Sequence, residues 1–189
     1  MNLPNKLTVL RILMIPLFLF VLSFPFDWGS VAAVPITHII AAIIFTLASI
    51  TDWLDGYLAR KWHLVTNFGK FADPLADKIL VMAAFIILVQ LKQAPAWVVA
   101  IIVMRELAVT GLRLLLVEEG EVLGAAWPGK IKTATQMFAI IFLLLHNLPF
   151  ALMINFPLGK LLLYSALVFT IYSGVDYFVK NKKVFKESM

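Results

Sequence analysis

The chain has 189 residues, of which 62% are hydrophobic, with a mean hydropathy of +0.94 and a net charge of +5. A soluble domain is only about half apolar, so this composition, gathered in long apolar runs, excludes a soluble domain and predicts an integral membrane protein. The absence of cysteine excludes disulfides, thiol nucleophiles and thiolate metal sites.

The first apolar segment follows Lys6 and has the length of a signal peptide. Arg11 and Pro16 interrupt it and no small-residue cleavage site follows, so we expect a retained helix. A helix of roughly 20 residues spans a bilayer, and the apolar segments run over residues 7–24, 35–58, 71–91, 95–117, 131–148 and 156–179. Lipid-exposed segments must satisfy their own backbone hydrogen bonds. We therefore predict an all-α membrane protein, one domain over residues 1–189, folded as a bundle of six transmembrane helices.

The basic residues predict the orientation of these helices. With six spans, most of them fall on one side of the membrane: Lys6, Arg11, Arg60, Lys61, Lys70, Lys130, Lys132, Lys180, Lys182, Lys183 and Lys186. The loops predicted on the other side carry only Lys92. The positive-inside rule therefore predicts a multi-pass protein of the cell membrane with both termini in the cytoplasm. Basic residues at span ends indicate contact with anionic lipid headgroups, and we expect no nucleic-acid partner.

Four aspartates lie close together in sequence where the second span ends and the third begins. Asp52 and Asp55 are three residues apart, and Asp73 and Asp77 are four apart, so each pair shares a helix face. Carboxylates next to a bilayer are costly, and four that converge repel one another unless cations lie between them. Mg²⁺ and Mn²⁺ prefer such oxygen ligands and often share them with substrate phosphates. The pattern predicts a divalent-cation site at the cytoplasmic edge of the membrane.

The residues between the aspartates indicate that a phosphate ligand approaches here. Gly56 and Gly69 allow close approach of a ligand or of another backbone. Arg60 offers a planar fork suited to phosphate. The alternative is that the two glycines serve only tight helix packing.

At this point the chain resembles a known family. The string Asp-x-x-Asp-Gly-x-x-Ala-Arg-x8-Gly-x3-Asp-x3-Asp is similar to the signature of the CDP-alcohol phosphatidyltransferases. Its fixed positions are Asp52, Asp55, Gly56, Ala59, Arg60, Gly69, Asp73 and Asp77. The resemblance implies a homodimer of six-helix bundles with an active site open to the cytoplasm. It also implies two divalent cations, Mg²⁺ or Mn²⁺, held by the four aspartates, with Asp77 as general base.

Other residues bear on the two substrates that the resemblance implies. We expect Thr8 and Arg11 to reach the nucleotide or a phosphate of CDP-diacylglycerol, beside Asp52, Gly56, Arg60 and Gly69. For Thr8 the alternative is a helix cap. The segments Asn2 to Arg11, Arg105-Glu106 and Gly129 to Thr133 resemble those of bacterial members whose acceptor is sn-glycerol 3-phosphate.

A dianionic acceptor needs cationic donors, and the fourth and fifth spans supply them. Arg105 and Arg113 are eight residues apart and share a face. Lys130 and Lys132 begin the fifth span. The alternative for Lys130 is ordinary positive-inside charge, whereas Arg105 lies within an apolar run, where an arginine is usually paired or functional. The expected activity is phosphatidyl transfer to sn-glycerol 3-phosphate.

Two other functions compete with this interpretation. The first is the same transfer to a different acceptor, namely inositol phosphate, serine or phosphatidylglycerol. The second is a transporter of protons or divalent cations, but transport sites tend to lie near the bilayer midplane between inverted repeats. These aspartates lie at one face, and no internal repeat is visible.

Overall fold

The computed structural model describes residues 2–24, 26–62, 66–118, 127–149, 151 and 156–182. Within these residues it contains six α-helices and a two-stranded hairpin. The elements are α1 (Leu3–Ser23), β1 (Ser30–Val31), β2 (Val34–Pro35), α2 (Ile36–Lys61), α3 (Asn67–Gln90), α4 (Ala96–Glu118), α5 (Trp127–Leu144) and α6 (Leu158–Lys180). The prediction of an all-helical fold with six helices is confirmed. Several helices begin or end about one turn away from the predicted positions.

The earlier starts of α1 and α3 have a local cause, which is side-chain capping. Asn2 accepts a hydrogen bond from the backbone N–H of Asn5 at 3.2 Å, and Thr66 accepts one from the N–H of Gly69 at 3.0 Å. Such caps satisfy amide groups that have no partner within the helix. The Thr66 hydroxyl also donates to Asn5 Oδ1 at 2.9 Å. Thr66, which caps α3, therefore also holds the N-terminal ends of α1 and α3 together.

The hairpin between α1 and α2 was not predicted. Ser30 pairs with Pro35 and Val31 with Val34, around a two-residue turn at Ala32 and Ala33. Both alanines have positive φ, 50° and 64°, as the type I′ turn of two-residue hairpins requires. Alanine is an unusual residue there, so the composition of the turn gave no signal.

The helices pack around one apolar core. α1 lies against α2 and α3, α5 lies against α6, and α4 contacts α3 and α6. Fully buried aromatic and leucine side chains fill the centre, among them Phe18, Phe45, Phe85 and Leu88. Large apolar side chains also point outward, for example Leu13, Ile43, Ile86, Met104 and Val168. An apolar exterior over an apolar core is the arrangement of a bundle surrounded by lipid.

The helices divide by polarity. By length and composition, three helices of the described part can cross a membrane: α1, α2 as far as Leu58, and α6. The remaining three do not meet that condition, and their charged residues include Asp77 on α3, Arg105 on α4 and Lys132 on α5. Charges are also present on α1 and α2, at Arg11, Asp52 and Asp55. These charges mark the part of the bundle where a site can be sought.

Gly159 provides a test of the packing between α5 and α6. A Cβ at this position would lie 3.0 Å from the backbone nitrogen of Leu143, and the Gly159 N–H donates to Asn147 Oδ1 at 2.6 Å. Because a backbone atom cannot move aside, Gly159→Ala should destabilise the fold by about 1–3 kcal/mol. Thermal unfolding in detergent would measure this loss. Gly111→Ala is the control, since a Cβ there meets nothing within 4 Å. Equal melting temperatures for the two variants would contradict the close contact between Gly159 and the backbone of Leu143.

Candidate active site

Arg11 lies between two of the four aspartates. Its side chain is fully buried, its Nη2 donates to Asp55 Oδ2, and its Nη1 lies 2.8 Å from Asp52 Oδ1. The contact with Asp52 lacks the angles of a hydrogen bond and is an ion pair. Asp55 is only 2% exposed, whereas Asp52 is 34% exposed. The cation that the clustered carboxylates require is thus supplied here by a side chain of α1.

Thr8 brings a third aspartate to the same face of α1. Its hydroxyl donates to Asp73 Oδ1 at 2.5 Å, and the side chain is 1% exposed. Thr8 and Arg11 are three residues apart and therefore share a helix face. Asp52, Asp55 and Asp73 consequently converge on one face of α1. Thr8 and Arg11, predicted to bind the donor substrate, contact these carboxylates in the structure.

Asp77 differs from the other three aspartates. One of its carboxylate oxygens, Oδ1, is buried and has no hydrogen-bond partner among the described residues. Its side chain lines a cavity on the side of α3 that faces α4 and α5. An unpaired buried carboxylate oxygen is costly, so a residue kept in this state is a candidate for a role in ligand binding or proton transfer.

The set of donors fits a hard divalent cation in its chemistry. Four carboxylates on α2 and α3 offer only oxygen ligands, and Asp77 Oδ1 is unpaired. In the described part of the chain, however, three or more acidic or histidine side chains do not gather closely enough to enclose an ion. Arg11 engages Asp52 and Asp55 instead. Direct ligation by these two aspartates therefore competes with their contacts to Arg11.

The other residues of the sequence signature lie at the ends of the same two helices. Gly69 is buried, and a Cβ there would lie 3.3 Å from Thr66 Oγ1 and 3.4 Å from Asp73 Oδ2. The close surroundings of Gly69 leave little room for a larger side chain. Gly56 is partly buried in α2. Arg60 belongs to the last turn of α2, and its side chain lies outside the described part of the structure.

A cavity of about 230 Å³ opens beside Asp77. Its walls come from α3, α4, α5 and α6 and carry four cations, three carboxylates and several hydroxyl groups. The cations are Lys78, Arg105, Arg113 and Lys132; the carboxylates are Asp77, Glu106 and Asp176; the hydroxyl groups are those of Thr110, Thr133, Ser173 and Tyr177. The cavity can therefore bind a small anion that also presents hydroxyl groups.

Hydrogen bonds hold two of these cations around Glu106. Lys132 Nζ donates to Glu106 Oε1, and Arg105 Nη1 lies 3.3 Å from the same oxygen. Arg105 Nη2 also donates to Ser173 Oγ at 2.9 Å. Burial of a charged group is tolerated when it is paired in this way. The carboxylate of Glu106 thus offsets part of the cost of burying both cations inside the bundle.

The two other cations are anchored at the sides of the cavity. Lys78 Nζ donates to Thr110 Oγ1 at 2.5 Å. The guanidinium of Arg113 lies over the ring of Tyr177, 5.6 Å from its centroid, as a cation–π contact. Both side chains are therefore oriented by neutral partners.

Of the four predicted acceptor-binding residues, the structure brings three together. Arg105, Arg113 and Lys132 line the cavity, whereas Lys130 is exposed on α5 and is not part of the wall. Lys78 was missed, although a lysine within an apolar segment was an available signal. Ser173 was missed too, because a serine in a helix gives no signal until its partner is known.

The chain is similar to known proteins over most of its length. A family model described as CDP-alcohol phosphatidyltransferase matches residues 1–172. The chain is 56% identical to a CDP-diacylglycerol--glycerol-3-phosphate 3-phosphatidyltransferase of Bacillus subtilis, over 99% of this chain and 98% of the relative. It is 41% identical to a probable phosphatidylglycerophosphate synthase of Mycobacterium tuberculosis, over 93% and 79%. A CDP-diacylglycerol--glycerol-3-phosphate 3-phosphatidyltransferase of Rickettsia bellii is 39% identical, over 97% of each chain.

The role of Arg11 as resident cation can be tested by substitution. Arg11→Gln leaves Asp55 buried without its counter-charge, and breaking a buried pair in this way costs about 3–5 kcal/mol. We expect a large fall in melting temperature in detergent with EDTA present. Arg11→Lys, which keeps the charge, should lose less. The control is Lys180→Gln, because Lys180 is 66% exposed and pairs with Asp176 at the surface, where a pair contributes about 0–1 kcal/mol. Similar melting temperatures for Arg11→Gln and Lys180→Gln would refute the assignment.

Proposed function

The chain belongs to the CDP-alcohol phosphatidyltransferase family, and on this premise we propose that it transfers the phosphatidyl group from CDP-diacylglycerol to sn-glycerol 3-phosphate. The products are phosphatidylglycerophosphate and CMP, and the activity belongs to phospholipid biosynthesis. The Bacillus subtilis and Rickettsia bellii relatives are named for this activity, and the chain matches both over nearly their whole length. The observation that carries the proposal is the cavity in which the Asp77 carboxylate faces four cationic side chains.

The composition of the cavity matches the acceptor. sn-Glycerol 3-phosphate has a dianionic phosphate and two hydroxyl groups, and the cavity offers Lys78, Arg105, Arg113 and Lys132 for the phosphate. Arginine presents a planar set of donors that suits phosphate oxygens. Thr110, Thr133 and Ser173 can exchange hydrogen bonds with hydroxyl groups. Serine and inositol phosphate differ from this acceptor in charge or size.

Asp77 lies where the acceptor and the donor would meet. In the proposed reaction its carboxylate takes the proton from the 1-hydroxyl of glycerol 3-phosphate. The hydroxyl oxygen then attacks the phosphorus that carries diacylglycerol, a new P–O bond forms, and the P–O bond to CMP breaks. CMP leaves with the electron pair of that bond. Holding both reactants in line supplies a large part of the rate enhancement.

Asp52, Asp55, Asp73 and Asp77 would hold two divalent cations, Mg²⁺ or Mn²⁺. Two such ions supply electrostatic stabilisation of the attacking and the leaving oxygen in a phosphoryl displacement. The oxygen-only donor set supports this proposal. Thr8 and Arg11 would then adjoin the pyrophosphate of CDP-diacylglycerol from α1, and Gly56, Arg60 and Gly69 would adjoin it from α2 and α3.

The substrates require a site at the membrane surface. CDP-diacylglycerol is held in a leaflet, whereas glycerol 3-phosphate is dissolved in the cytosol. We propose that all six helices span the cytoplasmic membrane of a bacterium, with both termini and the cavity on the cytoplasmic side and two copies forming a homodimer. The apolar exterior and the basic residues near helix ends support this placement.

The acceptor can be identified directly. Purified protein in detergent, given radiolabelled CDP-diacylglycerol and Mg²⁺, should form lipid product and CMP with glycerol 3-phosphate. Serine, inositol phosphate and phosphatidylglycerol, each offered alone, should give little product. EDTA should abolish turnover, and added Mg²⁺ or Mn²⁺ should restore it. A product with another acceptor and none with glycerol 3-phosphate would overturn the proposed substrate. Turnover that persists in EDTA would overturn the role of the metals.

The role of Asp77 predicts a selective loss. Asp77→Asn removes the proton acceptor while keeping nearly the same volume, so turnover should fall by about 10²–10⁴-fold with some binding of CDP-diacylglycerol retained. Initial rates and equilibrium binding of a labelled donor measure the two effects separately. Asp27→Asn is the matched control, because Asp27 lies in the exposed segment between α1 and β1 and should behave like the unaltered protein. Near-normal turnover of Asp77→Asn would exclude Asp77 as the base.

A further inference from the structure

Arg105 crosses from α4 to α6, where it contacts two consecutive residues. Its Nη2 donates to Ser173 Oγ at 2.9 Å. A Cβ built on Gly174 would lie 3.1 Å from Arg105 Cγ, 3.5 Å from Nε and 3.9 Å from Cδ. The aliphatic part of Arg105 therefore lies against the bare backbone of α6. Gly174 makes this close approach possible, since even a methyl group would press on the side chain.

The hydroxyl of Ser173 is oriented toward this contact. It donates to the carbonyl oxygen of Thr170 at 3.2 Å, as serine hydroxyls in helices commonly do. With its hydrogen directed along the helix, the oxygen keeps its lone pairs for the guanidinium of Arg105. Ser173 therefore acts as a fixed acceptor and not as a freely rotating group.

Arg105 also separates two different environments. On one side is the polar cavity that contains Asp77. On the other side is an apolar groove of about 480 Å³ between α4 and α6, whose walls include Met104, Ala108, Ile171 and Val175. A guanidinium that turned toward the groove would lose its polar partners. Glu106 holds the guanidinium from α4, and the contacts with Ser173 and Gly174 hold it from α6, so that the long, flexible side chain stays on the polar side.

We propose that Ser173 and Gly174 are positioning residues for the acceptor, which act by fixing Arg105 in the orientation that meets the phosphate. This inference rests on the proposed function, because it assumes that the cavity binds a phosphate-bearing acceptor. Arg105 has five N–H groups, and the partners found in the described residues are Glu106 and Ser173. Donors therefore remain for a ligand, and their direction depends on α6.

Gly174→Ala tests the proposal with little risk to the fold. The three atoms nearest to the added methyl group all belong to the Arg105 side chain, which can move, whereas the atoms near Gly159 include a backbone nitrogen. We expect the melting temperature to change little. The added methyl group requires Arg105 to shift by a few tenths of an ångström. The KM for glycerol 3-phosphate should therefore rise by roughly three- to tenfold, since a misplacement of about 1 Å can cost about 100-fold. The kcat at saturating acceptor and the KM for CDP-diacylglycerol should stay within about twofold.

The serine provides a second, independent variant. Ser173→Ala removes the acceptor of the hydrogen bond and should raise the KM for glycerol 3-phosphate, whereas Ser173→Thr keeps a hydroxyl and should restore most of it. Gly111→Ala, on the same helix as Arg105 and in open space, should leave all three parameters unchanged. A purely structural role would lower kcat and stability together without a selective change in KM.

The outcomes separate this inference from the function on which it rests. If the unaltered protein forms no product with glycerol 3-phosphate, the proposed function fails. If it does form product, and Gly174→Ala and Ser173→Ala both keep the original KM for that acceptor, only the positioning role fails. A rise in KM that is equal for the acceptor and for CDP-diacylglycerol would also overturn it.

Discussion

The structure depends on the pairing of charges that are buried inside an apolar bundle. Arg11 is fully buried and contacts both Asp52 and Asp55, so α1 and α2 are joined by a charge that neither helix can bury alone. Transfer of an unpaired charge from water into such an interior costs several kcal/mol after relaxation. One turn earlier, Thr8 joins α1 to Asp73 on α3. These contacts fix the register of α1, α2 and α3 at their polar ends. The apolar side chains farther along the same helices are thereby brought into contact in the core.

The same constraint explains the unequal polarity of the helices. The helices α1, α2 and α6 are the ones that length and composition suit for crossing a membrane, and their few buried polar groups meet partners on other helices. Several charges of α3, α4 and α5 point into the cavity, where Lys132 meets Glu106 and Lys78 meets Thr110. Two others do not, since Asp73 contacts Thr8 and Lys130 is exposed. Turning these side chains inward avoids the cost of exposing them to lipid. The cavity is consequently a product of the helix packing and needs no separate domain.

Much of the fold could be predicted from the sequence, because helix number follows from apolar length and the aspartate pairs follow from spacing. What could not be predicted depends on contacts between distant residues. Nothing in the sequence near Arg11 indicates that it reaches Asp52 and Asp55 on α2, or that Ser173 meets Arg105 across 68 positions. The hairpin was missed because alanines occupy its turn. The cavity lysines show the same limit, since Lys130 and Lys132 are nearly adjacent yet only Lys132 faces inward.

The charge inside the cavity is suited to the proposed acceptor. Four cations and three carboxylates line it, and one of the carboxylates, Asp176, is already paired with Lys180 outside the wall. Two positive charges therefore remain uncompensated, which matches a phosphate dianion. At an effective dielectric of about 20, unit charges at 4 Å attract by about 4 kcal/mol, so this imbalance is large enough to select an anion. Glu106 reduces the attraction, but it also holds Arg105 and Lys132 in place. An entering phosphate therefore meets donors that are already ordered, which lowers the entropic cost of binding.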